Sequence, residues 1–229
     1  MKRIRFFRSM ENLTWSSVKK REQVKGITTR ILCSSEVNQF CNQNTMSKVI
    51  IGIAGEIACG KDTVGKYLAE KHGALSLRFS QPLRDILDRM NLDQNRENMA
   101  RLSLHLRKGF GEDIFSKVML AEAKKGDQEL VVVDGVRRSF DIVHMETEPN
   151  FYFVYVEASP ETRYNRLTKR RQNTDDATKT QVQFEKDALL ETETQIRDLK
   201  ERADFVVNND GTLEELQKQI DDIVAQIRK

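Results

Sequence analysis

Short apolar runs alternate with amphipathic stretches from residue 48 to the end of the chain. The apolar runs are rich in β-branched and aromatic residues, which is typical of strands covered on both faces in a parallel sheet. They predict five strands, at 48–54, 75–79, 130–133, 151–157 and 204–208. The stretches between them predict helices over 61–72, 82–91, 96–109, 113–125, 137–146, 160–171, 178–201 and 212–228. This alternation predicts an α/β fold, in which helices flank a five-stranded parallel sheet in three layers.

Residues 1–46 show neither the helical nor the strand periodicity of apolar residues, and their net charge differs from that of the remainder of the chain. They hold nine Lys and Arg against three Glu, whereas the whole chain of 229 residues has a formal net charge of +3. The remainder is therefore slightly acidic. We interpret 1–46 as a disordered basic extension and 47–229 as the folded domain. A translation start at Met46, an organelle-targeting arm and a regulatory tail are alternative explanations of the extension.

The composition argues against several classes of protein. A slightly acidic domain gives little support for nucleic-acid binding. No run approaches the roughly 18 consecutive apolar residues of a membrane span. The three cysteines, Cys33, Cys41 and Cys59, form no paired framework and no CxxC motif, so neither a disulfide scaffold nor a zinc site is indicated. We expect a cytoplasmic monomer or homodimer with neither a nucleic-acid nor a membrane partner.

The segment GEIACGKDT, at 55–63, follows the first predicted strand and precedes a predicted helix. It fits G-x-x-x-x-G-K, the pattern of the phosphate-binding P-loop, in the context that this pattern requires. Its glycines allow positive φ, so that backbone N–H groups and the helix N-terminus can surround phosphate oxygens. Lys61 can then reach the β- and γ-phosphates. The predicted nucleotide site consists of Gly55, Glu56, Ile57, Ala58, Cys59, Gly60, Lys61, Asp62, Thr63 and Val64.

Asp62 stands where most P-loops have a hydroxyl, and Thr63 follows one position later. This GKxT pattern is common in nucleoside monophosphate kinases, and Thr63 is the predicted hydroxyl on the metal side. Asp62 is either an acid favoured by the helix dipole or an outer-shell partner of magnesium. Cys59 lies near the helix N-terminus, which should lower its thiol pKa. We favour the simpler interpretation that it is a small residue filling the loop.

Asp134 ends the predicted strand LVVVD and is followed by Gly135, Arg137 and Arg138. An acid at the carboxyl end of a strand beside the P-loop strand can hold magnesium through water or orient the phosphoryl acceptor. Capping of the following helix is the alternative. Arg137 and Arg138 are placed to grip a substrate phosphate bidentately.

The acceptor is expected to bind within about 80–125, next to the second strand. Arg78, Ser80 and Arg84 are candidates for this pocket, although each is as readily a surface residue. Arg107 lies at a predicted break between helices, on a flexible basic element suited to cover a phosphorylated acceptor.

A lid is expected over about 163–200. Arg163, Arg166 and Arg170 are spaced three and four apart, so they share one helix face. Arg166, Arg170 and Arg171 are predicted to close over the migrating phosphoryl group, with Asp175 and Asp176 orienting them. A solvated charged face is the alternative.

These motifs resemble P-loop kinases of the dephospho-coenzyme A kinase and nucleoside monophosphate kinase group, over 48 to about 220. IGIAGEIACGKDTV is similar to the opening of dephospho-coenzyme A kinases. GKDT, RFSQPLRDIL and VVVDGVRRSFDI resemble deoxynucleoside monophosphate kinases and animal-type phosphomevalonate kinases. EASPETRYNRLTKR, the acids at 175 and 176, and ADFVVNNDGTLEEL resemble a poorly characterised microbial branch related to these enzymes.

The resemblance implies a central P-loop strand, ATP and Mg²⁺ as cofactors, and a loop against the adenine formed by Asn209, Asp210 and Gly211. The chain departs from dephospho-coenzyme A kinases after the second strand, where Phe79, Ser80 and Gln81 replace an Asp-Ala-Asp-type motif.

Together these features predict a P-loop NTPase fold and an ATP-dependent phosphotransferase. The acceptor of the γ-phosphoryl group of ATP would be a small, nucleotide-like molecule, such as a (deoxy)nucleoside monophosphate or dephospho-coenzyme A. The predicted catalytic residues are Lys61, Asp134, Arg138, Arg166, Arg170 and Arg171, with Thr63 and Asp134 on the metal. A nucleotide-binding ATPase or switch without an acceptor is the alternative, and a fold that binds nucleotide without turnover is a third hypothesis.

Overall fold

The structure, a computed structural model, describes residues 48–170, 180–189 and 191–228. Its strands are β1 (Val49–Ala54), β2 (Leu75–Arg78), β3 (Leu130–Asp134), β4 (Phe151–Glu157) and β5 (Phe205–Asn208). Its helices are α1 (Lys61–His72), α2 (Gln81–Arg89), α3 (Arg96–Phe110), α4 (Ile114–Lys125), α5 (Pro160–Arg170), α6 (Gln181–Asp187), α7 (Glu191–Asp198) and α8 (Leu213–Ile227). In these described ranges no helix is both long and apolar enough to span a bilayer.

The five strands form one parallel sheet in the order β2-β3-β1-β4-β5, with the P-loop strand at its centre. Ile53 near the end of β1 pairs with Asp134 at the end of β3, and Arg78 at the end of β2 pairs with the same residue. Because all strands run in one direction, their carboxyl ends meet at one edge of the sheet. The sheet and its central strand confirm the predicted architecture.

Successive residues of the three central strands, β1, β3 and β4, enter opposite hydrophobic cores, which explains their continuous apolar runs. In β3, Val131 and Val133 pack in a core with residues of α2, α4 and α7, whereas Leu130 and Val132 pack in a second core with α1 and α8. Helices therefore cover both faces of the sheet, and three layers result.

The predicted helix over 137–146 is wrong. The chain there forms two short 3-10 helices, Ser139–Asp141 and Met145–Thr147. The Asp141 carboxylate accepts hydrogen bonds from the backbone N–H groups of Arg137 and Arg138 at 3.0 and 3.1 Å, and so turns the chain back on itself. An acid that bonds its own preceding backbone competes with helix formation, and here it prevails.

The single helical stretch predicted over 178–201 is divided into α6, α7 and the 3-10 helix Leu199–Arg202. Thr180 caps α6 by accepting a hydrogen bond from the Gln183 N–H, and the Gln183 side chain accepts one in return from the Thr180 N–H.

Candidate functional site

The P-loop joins β1 to α1, and two of its glycines are fixed by close neighbours. A Cβ atom on Gly55 would lie 2.3 Å from the carbonyl oxygen of Val156, and one on Gly60 would lie 2.1 Å from Nδ2 of Asn209. Gly60 also has a φ of 99°, in the left-handed region that side chains disfavour. The chain therefore needs glycine at both ends of the loop.

The end of the loop that leads into α1 is held by residues that are distant in the sequence. Nδ2 of the buried Asn209 donates a 2.8 Å hydrogen bond to the Cys59 carbonyl oxygen. Arg166, on α5, donates to the same oxygen and to Oδ1 of Asn209, both at 3.4 Å. The structure thus brings one predicted lid arginine and one residue of the predicted adenine loop together at the P-loop.

Cys59 fills the interior of the loop and is fully buried. Burial raises the pKa of its thiol, and the opposing effects of the Lys61 charge and a backbone hydrogen bond are smaller. The expected lowering of this pKa is therefore wrong, because the helix N-terminus acts on a group that has lost its solvation.

The opposite end of the loop contacts α5 and α7 through Glu56 and Ile57. Oε1 of Glu56 lies 3.3 Å from Nη2 of Arg163 and 3.7 Å from Nε of Arg197. The Ile57 N–H donates a 3.2 Å hydrogen bond to Oε2 of Glu193. Arg163, at the start of the predicted lid, therefore points toward the P-loop and helps to hold it in place.

Sequence reasoning missed Glu193 and Arg197, because the acidic stretch that contains them has no recognisable motif. Their spacing of four, on a stretch predicted to be helical, places them on one face, and that is the signal that could have been used.

Asp134 lies beside Lys61, at the end of β3. The residue is 8 % exposed, and its Oδ1 is buried without a hydrogen-bond partner in the described part of the chain. Burial raises the pKa of its carboxyl, the Asp62 charge raises it further, and the charges of Lys61 and Arg78 lower it. An unsatisfied buried carboxylate oxygen fits a divalent cation or a water bound to one.

Asp62 and Thr63 are both exposed on the first turn of α1. No cluster of three or more His, Cys, Asp or Glu side chains able to hold a metal occurs in 48–170, 180–189 and 191–228. A metal here would therefore need ligands from a bound nucleotide as well as from the protein.

A cavity of about 270 Å³ adjoins the edge strand β2 on the predicted acceptor side. Arg78 lines it together with Gln81, Asp85 and Glu122. Ser80 and Arg84 are not in its lining, and Arg84 instead donates a 2.9 Å hydrogen bond to Gln94. Of the predicted acceptor residues, only Arg78 lines this cavity.

The other arginines predicted near the acceptor have different surroundings. Arg107 is buried, pairs with Asp141 at 2.7 Å and does not line this cavity. Nη1 of Arg138 lies 3.3 Å from Glu112 in a partly exposed pair, and the Arg137 side chain is exposed. The Arg107 side chain is therefore buried against its counter-ion, whereas the Arg137 side chain remains accessible to a ligand.

A second cavity, of about 410 Å³, lies beyond the carboxyl ends of β4 and β5. Asp210 lines it with Glu56, Arg197 and Lys200. The Asp210 carboxylate accepts a 2.8 Å hydrogen bond from the Ser159 N–H, and this bond lowers its pKa. Gly211 is exposed beside it, so the predicted adenine loop is divided between the P-loop contact of Asn209 and this cavity.

Part of the predicted lid lies outside the described residues. Arg171, Asp175 and Asp176 fall in 171–179, and the backbone of Arg170 is described as the last residue of α5 without its side chain.

Known proteins resemble this chain over most of its length. It is 28% identical to "UPF0200 protein MJ1399" of Methanocaldococcus jannaschii, over 78% of this chain and 90% of that one. Among solved structures, TT1252 from Thermus thermophilus has a TM-score of 0.54 at 20% identity and covers 78% of this chain and 97% of its own. A gluconokinase from Sinorhizobium meliloti has a TM-score of 0.50 at 15% identity, with 80% and 94% covered. These two likenesses show that the chain shares their fold, and they show the fold alone.

A family model described as "AAA domain" matches residues 51–191, which include most of β1, the P-loop, Asp134 and α5. The match covers more than half of the chain. The chain therefore belongs to the AAA domain family.

Proposed function

We propose that the protein is an ATP- and Mg²⁺-dependent kinase that transfers the γ-phosphoryl group of ATP to a small, nucleotide-like acceptor. The observation that carries this proposal is the pairing of a complete P-loop with Asp134, whose buried Oδ1 has no partner among the described residues. A loop that only binds phosphate has no need of a desolvated carboxylate beside its lysine, and such a group costs stability. Perturbed acids of this kind occur most often at functional sites.

In this proposal the loop amides and Lys61 bind the phosphates and offset the negative charge that spreads over the transferring group. Asp134, with Thr63 on the first turn of α1, would hold Mg²⁺. When bound, this ion would neutralise part of the negative charge of the phosphates. Asp134 also lies close enough to Arg78 to interact with it, so the metal side and the acceptor side of the site adjoin.

The acceptor is proposed to carry a phosphate. Arg78 lines the cavity beside β2, and Arg137 is exposed three residues after Asp134. Both are arginines near the carboxyl ends of the strands, where open α/β sheets bind ligands. A (deoxy)nucleoside monophosphate or dephospho-coenzyme A has the required anionic group. Arg166, Arg170 and Arg171 are proposed to close over the site.

The proposal is tested by measuring ADP release from purified protein with Mg-ATP and a panel of acceptors. The panel contains nucleoside and deoxynucleoside monophosphates, dephospho-coenzyme A and phosphomevalonate. We expect one acceptor class to accelerate ADP release. Acceptor-independent hydrolysis as the sole activity would favour the alternative of an ATPase or switch.

Lys61→Ala should lower turnover by about 100-fold or more, because its charge acts on the transferring group. Lys66→Ala is the matched control, since Lys66 lies on the exposed side of the same helix. Unchanged turnover in Lys61→Ala would contradict the proposed site.

A further inference from the structure

One backbone N–H group of the P-loop, of the kind that binds phosphate, is already hydrogen-bonded to a carboxylate of the chain itself. The Ile57 N–H donates to Oε2 of Glu193 at 3.2 Å. Rows of backbone N–H groups in such loops bind anionic oxygens. The protein without nucleotide therefore already carries an anion at this end of the loop.

The position of Ile57 indicates which phosphate would need this amide. The far end of the loop, at Cys59 and Gly60, contacts Asn209 and Arg166. That end leads into the N-terminus of α1, where the first phosphates of a nucleotide are favoured. Ile57 lies at the other end, beside Glu56. A phosphate chain that starts at α1 and follows the loop reaches the Ile57 amide only with its terminal group.

Several further contacts hold α6 and α7 against the same end of the loop. Arg197, one turn after Glu193 on α7, lies 3.7 Å from Glu56. Phe184 of α6 is buried in a cluster with Ala58 of the loop and Leu167 of α5. The guanidinium of Arg163 stacks on the Phe184 ring at 5.4 Å while it pairs with Glu56. The helix that carries Glu193 is thus held at the loop by the pair of Arg197 with Glu56 as well as by the bond of Glu193 to Ile57.

We propose that Glu193 is a specificity-determining residue that makes the P-loop disfavour a nucleoside triphosphate relative to the diphosphate, because its carboxylate competes with the terminal phosphate for the Ile57 amide. This inference rests on the proposed function of the loop as a nucleotide site. The triphosphate must displace a hydrogen-bonded carboxylate and approach its negative charge, whereas the diphosphate leaves the contact intact. The same contact favours retention of the diphosphate product and raises the concentration of triphosphate that is needed to occupy the site.

The test compares Mg-ADP with a non-hydrolysable Mg-ATP analogue by calorimetry on the full chain. Glu193→Ala should bind the triphosphate analogue about three- to ten-fold more tightly, which is the range of the net contribution of one ordinary hydrogen bond. The affinity for ADP should change less than about two-fold, since the first two phosphates do not need the Ile57 amide. Glu193→Gln keeps the shape and an acceptor oxygen but removes the charge, so its effect should be intermediate.

Glu201→Gln, at an exposed position of the neighbouring 3-10 helix, is the matched control for the loss of one negative charge. Thermal unfolding of all variants verifies that they are folded, and Glu193→Gln carries the test should the alanine variant be unstable.

Equal changes in both affinities, or a weaker affinity for the triphosphate analogue alone, would overturn the inference while the nucleotide site stands. Absence of binding of either nucleotide by the unaltered chain would overturn the proposed function, and this inference with it.

Discussion

Nη2 of Arg107 lies 2.7 Å from Oδ1 of Asp141, and both side chains are buried. The Arg107 guanidinium also stacks on the Phe115 ring, at 4.8 Å from its centre. The second oxygen of Asp141 accepts the two backbone hydrogen bonds that turn the chain after β3. This pair therefore fixes the path of the loop that carries Arg137 and Arg138.

Arg107→Met should lower the free energy of unfolding by about 3 kcal/mol, because it leaves the buried Asp141 carboxylate without its counter-charge. Urea unfolding followed by circular dichroism measures this change. Arg101→Met, at an exposed position of the same helix, is the control and should cost less than about 0.5 kcal/mol. A small loss of stability together with a large loss of acceptor affinity would instead assign Arg107 to the acceptor site.

Asn209→Ala should weaken nucleotide binding about ten-fold, since the Cys59 carbonyl loses its 2.8 Å donor and the loop is no longer fixed from behind. Calorimetric titration with Mg-ADP measures the affinity. Asn165→Ala, at an exposed position of α5, should leave it unchanged. Equal affinities for the two variants would mean that the loop keeps its shape without Asn209.

Asp134→Asn should raise the free energy of unfolding by about 1 kcal/mol while it abolishes turnover, because it removes a desolvated charge that folding must bury. The raised pKa gives the pH dependence its sign. Since the folded state disfavours the ionised carboxyl, the unaltered chain gains stability as the pH falls through that raised value. The advantage of the variant in thermal unfolding should therefore be largest near neutral pH and shrink in acid. A variant that is less stable at neutral pH would show that Asp134 has a stabilising partner.

Hydrogen bonds from His144 and then Lys117 hold the pKa of Asp113 at about 2, below its ordinary value of 3.8. A lowered pKa contributes stability above the ordinary value, and this contribution is lost as the pH falls toward 2. Asp113→Asn should therefore lower the Tm at pH 6, and the difference from the unaltered chain should shrink between pH 4 and pH 2. Asp127→Asn, at an exposed loop position, serves as the control. A difference that does not vary with pH would mean that the carboxylate charge is not what stabilises this corner.

The sheet was predictable because each buried strand is marked by a continuous apolar run, and the P-loop because glycine, lysine and a following helix coincide at a fixed spacing. The segment after β3 was not, because its helical pattern is overruled by Asp141, whose local hydrogen bonds depend on a partner in α3. Arg163 was predicted to share a helix face with Arg166 and Arg170, but its contact with Glu56 spans more than a hundred residues and follows from no local pattern. The spacing of Glu193 and Arg197 indicates that they share a helix face, but their partners in the P-loop depend on the packing of α7 on that loop, which no local pattern encodes.

The Cys59–Asn209 hydrogen bond joins residues 150 positions apart. During synthesis on the ribosome, β1 and the loop emerge long before β5 and Asn209. A nascent chain, or a product truncated before residue 209, therefore has the loop sequence without this hydrogen bond, so the loop acquires its full set of supporting contacts last, when the final strand has been made.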